Sequence, residues 1–179
     1  MIAFKKPSED LDVRFDFWRM IVDSKTTKIV NLTEFKDTYF PTSERPELKF
    51  HSKTEGEITI TLDNEESMYD NDKIMKRHFT VTHNYKSDKE GPEISICHKL
   101  EHIHFMLMPN ESVPQNEEAS DALMHLAINE CVPFLEAQYD SMIYGNNKYP
   151  QCLGIHCYNG VGRTGTLMAI INSIIALNN

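Results

Sequence analysis

Apolar and polar positions alternate through the middle of the chain and recur at helical spacing toward both ends. In FDFWRMIV, residues 15–22, apolar side chains fall three and four positions apart, which predicts a helix; KIVNLTE at 28–34 follows a polar break as a short strand. ELKFHSKTEGEITITLDNEES, KRHFTVTHNYK and EISICHKLEHIHFMLM alternate polar with apolar, the first around a Glu-Gly turn, and together predict an antiparallel meander. The acidic stretch DNEESMYDND at 63–72, which contains Tyr69, reads as a solvated turn. A Ser/Asp-rich start then introduces Leu123, Leu126, Ala127, Val132 and Leu135 at the spacing of a helix. Finally CLGIHC predicts a buried strand and GVGRTG a glycine-rich turn. TLMAIINSIIAL at 166–177 predicts a helix apolar on nearly every face, which needs cover on several sides. Neither repeats nor linkers divide the chain, so one domain over residues 1–179 is expected.

The 179 residues are 40% hydrophobic and 25% charged, a length at which a chain buries roughly two thirds of its unfolded surface, so a disordered tail is excluded. Eighteen Lys and Arg against 27 Asp and Glu give a net charge of -9 and a pI near 5.3. That balance leaves no broad basic face for a phosphate backbone, and nucleic acid is not an expected partner. The longest apolar runs, such as LMAIINSIIAL at 167–177, fall far below the ~20 residues that span a bilayer, and MIAFKKPSEDLDV lacks a signal-type stretch. A soluble, cytoplasmic protein without membrane insertion is expected, with Cys97, Cys131, Cys152 and Cys157 as thiols.

One segment carries chemistry. HCYNGVGRTGT, residues 156–166, sets Cys157 and Arg163 six positions apart around two glycines, with a third just beyond, where strand gives way to helix. Glycines 160, 162 and 165 let successive main-chain N–H groups point inward, and the helix start near Arg163 adds its positive end, so a phosphate can be held almost entirely by main chain. The cradle residues are Tyr158, Asn159, Gly160, Val161, Gly162 and Arg163. The same field stabilises a thiolate at Cys157, whose free pKa near 8.5 falls to ~3.5–7.5 in such surroundings. Arg163 can fork two phosphoryl oxygens, and the Thr164 hydroxyl can donate to the sulfur when the phosphoryl group departs. The bland alternative is a buried thiol beside an ordinary turn with Arg163 as a surface charge.

This segment resembles the signature of the protein tyrosine phosphatases: His-Cys, five residues, Arg, then Ser/Thr-Gly-Thr. The likeness continues upstream in order. FDFWRMI at 15–21 is similar to that family's Asp-Phe-Trp-Arg-Met helix, KIVNLTE to its Val-Ile-Val-Met-Leu-Thr strand, KDTYFP at 36–41 to its Lys-Cys-x-x-Tyr-Trp-Pro segment, and HIHFMLMPNESVP at 102–114 to its strand and acid loop. The resemblance covers the whole chain but only part of the family's catalytic domain. It implies an α/β fold with a twisted mixed β-sheet flanked by α-helices, Cys157 as nucleophile, and hydrolysis of phosphotyrosine on proteins through a cysteinyl-phosphate, without a metal or cofactor.

The same resemblance marks departures. Met108 stands where the family has Trp, removing the aromatic hinge of the acid loop, and Asn110 stands where it has the Asp that protonates the leaving oxygen. Asn cannot donate that proton, and general-acid help is worth ~10²–10⁴-fold. Glu111 is the local alternative, more simply a solvated loop carboxylate. The family's recognition loop would precede residue 1 and its glutamine-bearing loop would follow residue 179. The expectation is an impaired phosphatase; the alternatives are a pseudophosphatase that binds phosphotyrosine peptides, or a piece too short to form the pocket. His98, His102 and His104 have a spacing that zinc sites also use, but no carboxylate or thiol obviously converges on them. Cys152 reads as a strand cysteine rather than a resolving thiol, Met106, Met108 and Met124 as core filler, and Lys36 either as the family's lysine near the acid loop or as a plain surface charge.

Overall fold

A computed structural model describes residues 1–34, 38–87, 91–109, 114–145 and 151–178. The alternating stretches join in one seven-stranded sheet. Strands β1 (Ile2–Lys5), β2 (Thr26–Asn31), β6 (Glu93–Phe105) and β7 (Cys152–Cys157) are parallel, with β7 between β1 and β2, and β6 beyond β2. From β6 the sheet continues antiparallel through β5 (Asn71–Lys86), β4 (Gly56–Met68) and β3 (Glu47–Ser52), which is the expected meander. The acidic stretch is a different matter. Residues 63–68 lie in β4, and the turn is only Tyr69 and Asp70, both at positive φ (55° and 52°), the backbone of a two-residue hairpin that matches the strand twist. Charged side chains misled because an exposed hairpin face is as polar as a loop.

Helix α1 (Leu11–Asp23) starts earlier than its apolar spacing predicts, because the Asp10 side chain accepts the Asp12 N–H at 2.8 Å as an N-cap. The stretch expected as one helix consists of α2 (Glu117–Leu126), a π-helical turn at Ala127–Cys131, and α3 (Val132–Ile143). The π turn carries Glu130 down to the sheet. Its carboxylate meets Lys28 of β2 at 2.8 Å and Lys76 of β5 at 3.2 Å, while Lys28 also lies 2.8 Å from Glu101 of β6. Helix α4 (Gly162–Asn178) begins four residues before the predicted 166, inside the glycine-rich turn.

The sheet is covered on both faces. Helix α1 packs Phe15, Trp18 and Ile21 against Ile29, Ile58, Ile60 and Phe79; on the opposite face Leu123, Leu126, Leu167 and Ile171 pack against Val30, Ile103, Phe105 and Ile155. Strand β7 is buried along nearly its whole length, as its unbroken apolar run requires. Successive side chains on a strand point to opposite faces, so His156 belongs to the aromatic layer under α1 and Cys157 to the layer under α2–α4. Helix α4 is covered on one side only: Leu167 and Ile171 are buried, whereas Leu177 and, on the neighbouring α3, Tyr139 and Met142 are exposed. Among the described residues no helix is long and apolar enough to cross a membrane.

Candidate active site

The chain leaves β7 at Cys157 and enters α4 at Gly162, so four residues make the turn between strand and helix. Gly160 is the one whose absent side chain matters. Its φ is +72°, and a Cβ there would lie 2.6 Å from the Phe4 carbonyl oxygen and 3.0 Å from the Lys5 nitrogen. Strand β1 therefore closes against the turn from outside. Gly162 and Gly165 differ: neither has positive φ, and among the described residues a Cβ would meet nothing within 4 Å. The expectation that all three glycines shape the turn thus narrows to Gly160, because the helix begins early enough to give the other two helical backbone.

At the floor of this turn Cys157 is 3% exposed, while Tyr158, Asn159, Val161 and Gly162 form an exposed rim and Gly160 is half-buried between them. Burial pushes the Cys157 thiol up, but the Thr164 hydroxyl and the main-chain N–H groups of Thr164, Gly160 and Asn159 outweigh it and hold the thiol below its ordinary value. The Thr164 hydroxyl oxygen is fully buried and, among the described residues, has no partner at full hydrogen-bond geometry. Cys131 shows what burial does without such a turn: its thiol is pushed up to about 12. Cys152 is half-buried, and all four cysteines are free thiols.

Arg163 opens α4 and is buried, at 5% exposure, so it is not a surface charge. Its Nη1 donates to the main-chain carbonyl of Met108 at 3.1 Å. Met108, which replaces an expected Trp, is fully buried in the α2–α4 core, whereas Met124 is exposed. Asn110, Glu111 and Lys36 lie outside the described residues.

Several supporting residues were not singled out from the sequence. The His156 ring is fully buried, stacks on Phe4 at 5.2 Å between centroids, and pairs through Nε2 with the Tyr39 hydroxyl at 3.3 Å. The main-chain carbonyls of His156 and Cys157 accept the N–H groups of Leu32 (2.8 Å) and Lys6 (3.1 Å), which fixes the end of β7 from both sides. The Tyr in KDTYFP was the available signal for Tyr39. The histidines of β6 serve separate surroundings. His98 Nε2 bonds the Thr26 carbonyl at 2.7 Å, His104 Nε2 the Thr33 carbonyl at 3.0 Å, and His102 stacks on Phe40 at 3.9 Å. Burial, then the Arg77 charge, holds His102 well below the ordinary imidazole value, so that ring is neutral.

A buried thiol with a lowered pKa, ringed by main-chain donors and followed by a buried arginine at a helix start, has the chemistry to hold an oxyanion. Known proteins resemble this chain over most of its length. A family model described as protein-tyrosine phosphatase matches residues 1–179. Human receptor-type tyrosine-protein phosphatase epsilon is 29% identical over 164 residues, which cover 88% of this chain and 20% of that protein. A Trypanosoma brucei protein tyrosine phosphatase superposes with a TM-score of 0.69 at 21% identity, covering 98% of this chain and 54% of that one. A structure of PTPN18 in complex with HER2 phosphopeptides superposes at 0.59 and 19% identity, covering 94% and 53%. The chain thus spans about half the length of these solved relatives and a fifth of the curated one.

Proposed function

This chain belongs to the protein-tyrosine phosphatase family, and from that premise we propose that it hydrolyses phosphotyrosine on proteins or peptides through a cysteinyl-phosphate at Cys157, slowly because Asn110 replaces the general acid. The observation that carries this reading is the buried Cys157 thiol at the floor of the turn, with the buried Arg163 at the start of α4, and the groups of Thr164, Gly160 and Asn159 that hold the thiol below its ordinary value support it. The Cys157 thiolate attacks phosphorus in line, an S–P bond forms, and the phosphorus–oxygen bond to the tyrosyl group breaks. Main-chain N–H groups from Tyr158 to Arg163, with the Arg163 guanidinium, take up the charge on the phosphoryl oxygens. Asn110 cannot protonate the departing oxygen, so the tyrosyl group leaves as a phenolate that water then protonates. Water next attacks phosphorus, the S–P bond breaks, phosphate is released, and the Thr164 hydroxyl steadies the returning thiolate. Nucleophile and anion binding both come from this chain, so the reaction as written calls for neither metal nor cofactor.

A thiolate needs reducing surroundings, which supports a cytoplasmic location. Asn110 favours a second reading, a pseudophosphatase that captures phosphotyrosine peptides and holds them unchanged or covalently. A rapid-mixing time course with a nitrophenyl phosphate, whose leaving group departs with little proton help, separates the two. Sustained release that disappears in Cys157→Ser supports the phosphatase, a single stoichiometric burst supports a covalent trap, and no release from a cooperatively folded chain supports the binder.

A further inference from the structure

Resting on the phosphotyrosine reading above, we propose that the side chain of Tyr158, the residue after the nucleophile, determines specificity: its ring stacks on the aryl ring of the bound phosphoester, so the β7–α4 turn itself favours aryl over alkyl phosphates. The backbone that carries this ring is fixed. The carbonyl of the peptide joining Cys157 to Tyr158 accepts the Lys6 N–H at 3.1 Å, and the turn lies so close to β1 that a Cβ on Gly160 would strike the Phe4 main chain. Nothing comparable holds the ring. Tyr158 is 56% exposed, and among the described residues neither a hydrogen bond nor a ring contact engages its side chain. It adds nothing to the core, unlike Tyr39, which is fully buried and pairs with His156.

The place of the ring decides what it can touch. In-line attack by the Cys157 sulfur puts the ester oxygen on the far side of phosphorus, so the group on that oxygen leaves the turn past the rim of Tyr158, Asn159, Val161 and Gly162. Of these four, Tyr158 alone carries a ring. Its Cα stands about 3.8 Å from that of Cys157, and two rings attract at centroid distances of roughly 4.5–7 Å, offset or edge to face. Tyr158 also walls a cavity of about 710 Å³ between β1 and α1, beside Val13 and Met20. On that side it borders open space, so the ring can turn to meet a second ring without displacing the core. Phosphotyrosine offers it a whole ring face and phosphoserine a single methylene, so stacking separates the two both by apolar area and by ring geometry.

The test is binding of two fluorescein-labelled peptides to the Cys157→Ser chain, followed by anisotropy. The peptides share one sequence and carry either phosphotyrosine or phosphoserine at its centre. What is read is the ratio of the two affinities, in which a general disturbance of the turn cancels. The phosphotyrosine peptide is expected to bind about three- to tenfold tighter, the worth of one ring pair. That ratio should fall below about twofold in Tyr158→Ala and persist in Tyr158→Phe, which keeps the ring and removes the hydroxyl. The exposed side chain has no hydrogen bond to lose, so alanine there leaves the fold intact. A ratio that survives in Tyr158→Ala assigns the selection elsewhere, and one that vanishes in Tyr158→Phe assigns it to the hydroxyl; either overturns the stacking role while the phosphotyrosine reading stands. Equal binding of both peptides with Tyr158 in place overturns it in the same way. Failure of both peptides to bind the folded chain overturns that reading and the role of Tyr158 with it.

Discussion

Arg163 Nη1 donates to the Met108 carbonyl at 3.1 Å, and this bond ties the first turn of α4 to the segment leading from β6 toward Asn110. A guanidinium can hold a carbonyl on one edge and present further N–H groups in a fixed plane, which an ammonium cannot. Arg163→Lys is therefore expected to weaken binding of orthovanadate, a phosphoryl transition-state mimic, by about ten- to a hundredfold, the worth of one or two charge-assisted hydrogen bonds. Calorimetric titration checks it. Retained affinity in the lysine variant would mean that the main chain alone binds the anion.

The glycines of the turn predict opposite effects. Alanine at Gly160 forces a side chain into left-handed backbone, costing ~1–2 kcal/mol, and drives its Cβ against the Phe4 carbonyl. Gly160→Ala is expected to destabilise the chain by at least ~2 kcal/mol and to lose vanadate binding, since β1 and the turn must separate. Gly165→Ala, in helical backbone with open space, is expected to stabilise by ~0.5–1 kcal/mol. Urea unfolding of the two variants reads both numbers.

How much of this could be read beforehand follows from the range of the forces. The strand CLGIHC at 152–157 and the alternation of the meander announce themselves because one buried strand, or one buried face, sets the local pattern. Strand β1 went unseen because IAFK has only four residues, and its place is decided by β7, some 150 residues away along the chain. The π turn was equally hidden. Glu130 looks like any helical surface charge until Lys28 and Lys76, on separate strands, come to meet it. At the site the thiol, the arginine and Gly160 were legible as neighbours, because they share one short segment. The Met108 carbonyl and the Phe4 backbone were not, since a main-chain contact carries no side-chain signal.

The pH dependence of Cys157 has a definite sign. Its folded value is lowered, so between that value and the ordinary one the folded chain holds a thiolate where the unfolded chain holds a thiol. The stabilisation this brings is complete above the ordinary thiol value and is lost as pH falls through the folded value. Thr164→Val removes one of the groups that hold the thiol down, so the pH midpoint of iodoacetamide alkylation should move up. Alkylation on the acidic side should slow by about fivefold, with stability changed little in acid. A midpoint that does not move would assign the lowered value to the main chain of Thr164, Gly160 and Asn159.

Asn110 leads to the prediction that best separates a handicapped enzyme from a binder. On the proposal that Asn110 occupies the acid's place, the proton it cannot give matters in proportion to the basicity of the leaving oxygen: it is nearly irrelevant for a nitrophenolate and costs ~10²–10⁴-fold for an ordinary phenolate. Asn110→Asp is therefore expected to raise kcat for phenyl phosphate at least tenfold while changing kcat for a nitrophenyl phosphate by less than about threefold. Steady-state rates with both esters measure the contrast directly. A rise on phenyl phosphate alone identifies residue 110 as the acid's position in an otherwise working site. Equal rises on both esters would mean that the substitution reshapes the site instead. No rise on either, with Cys157 still alkylated as a thiolate, would mean that the limit lies after the first step, in hydrolysis of the cysteinyl-phosphate, and would favour the reading in which this chain captures its phosphotyrosine partner and keeps it.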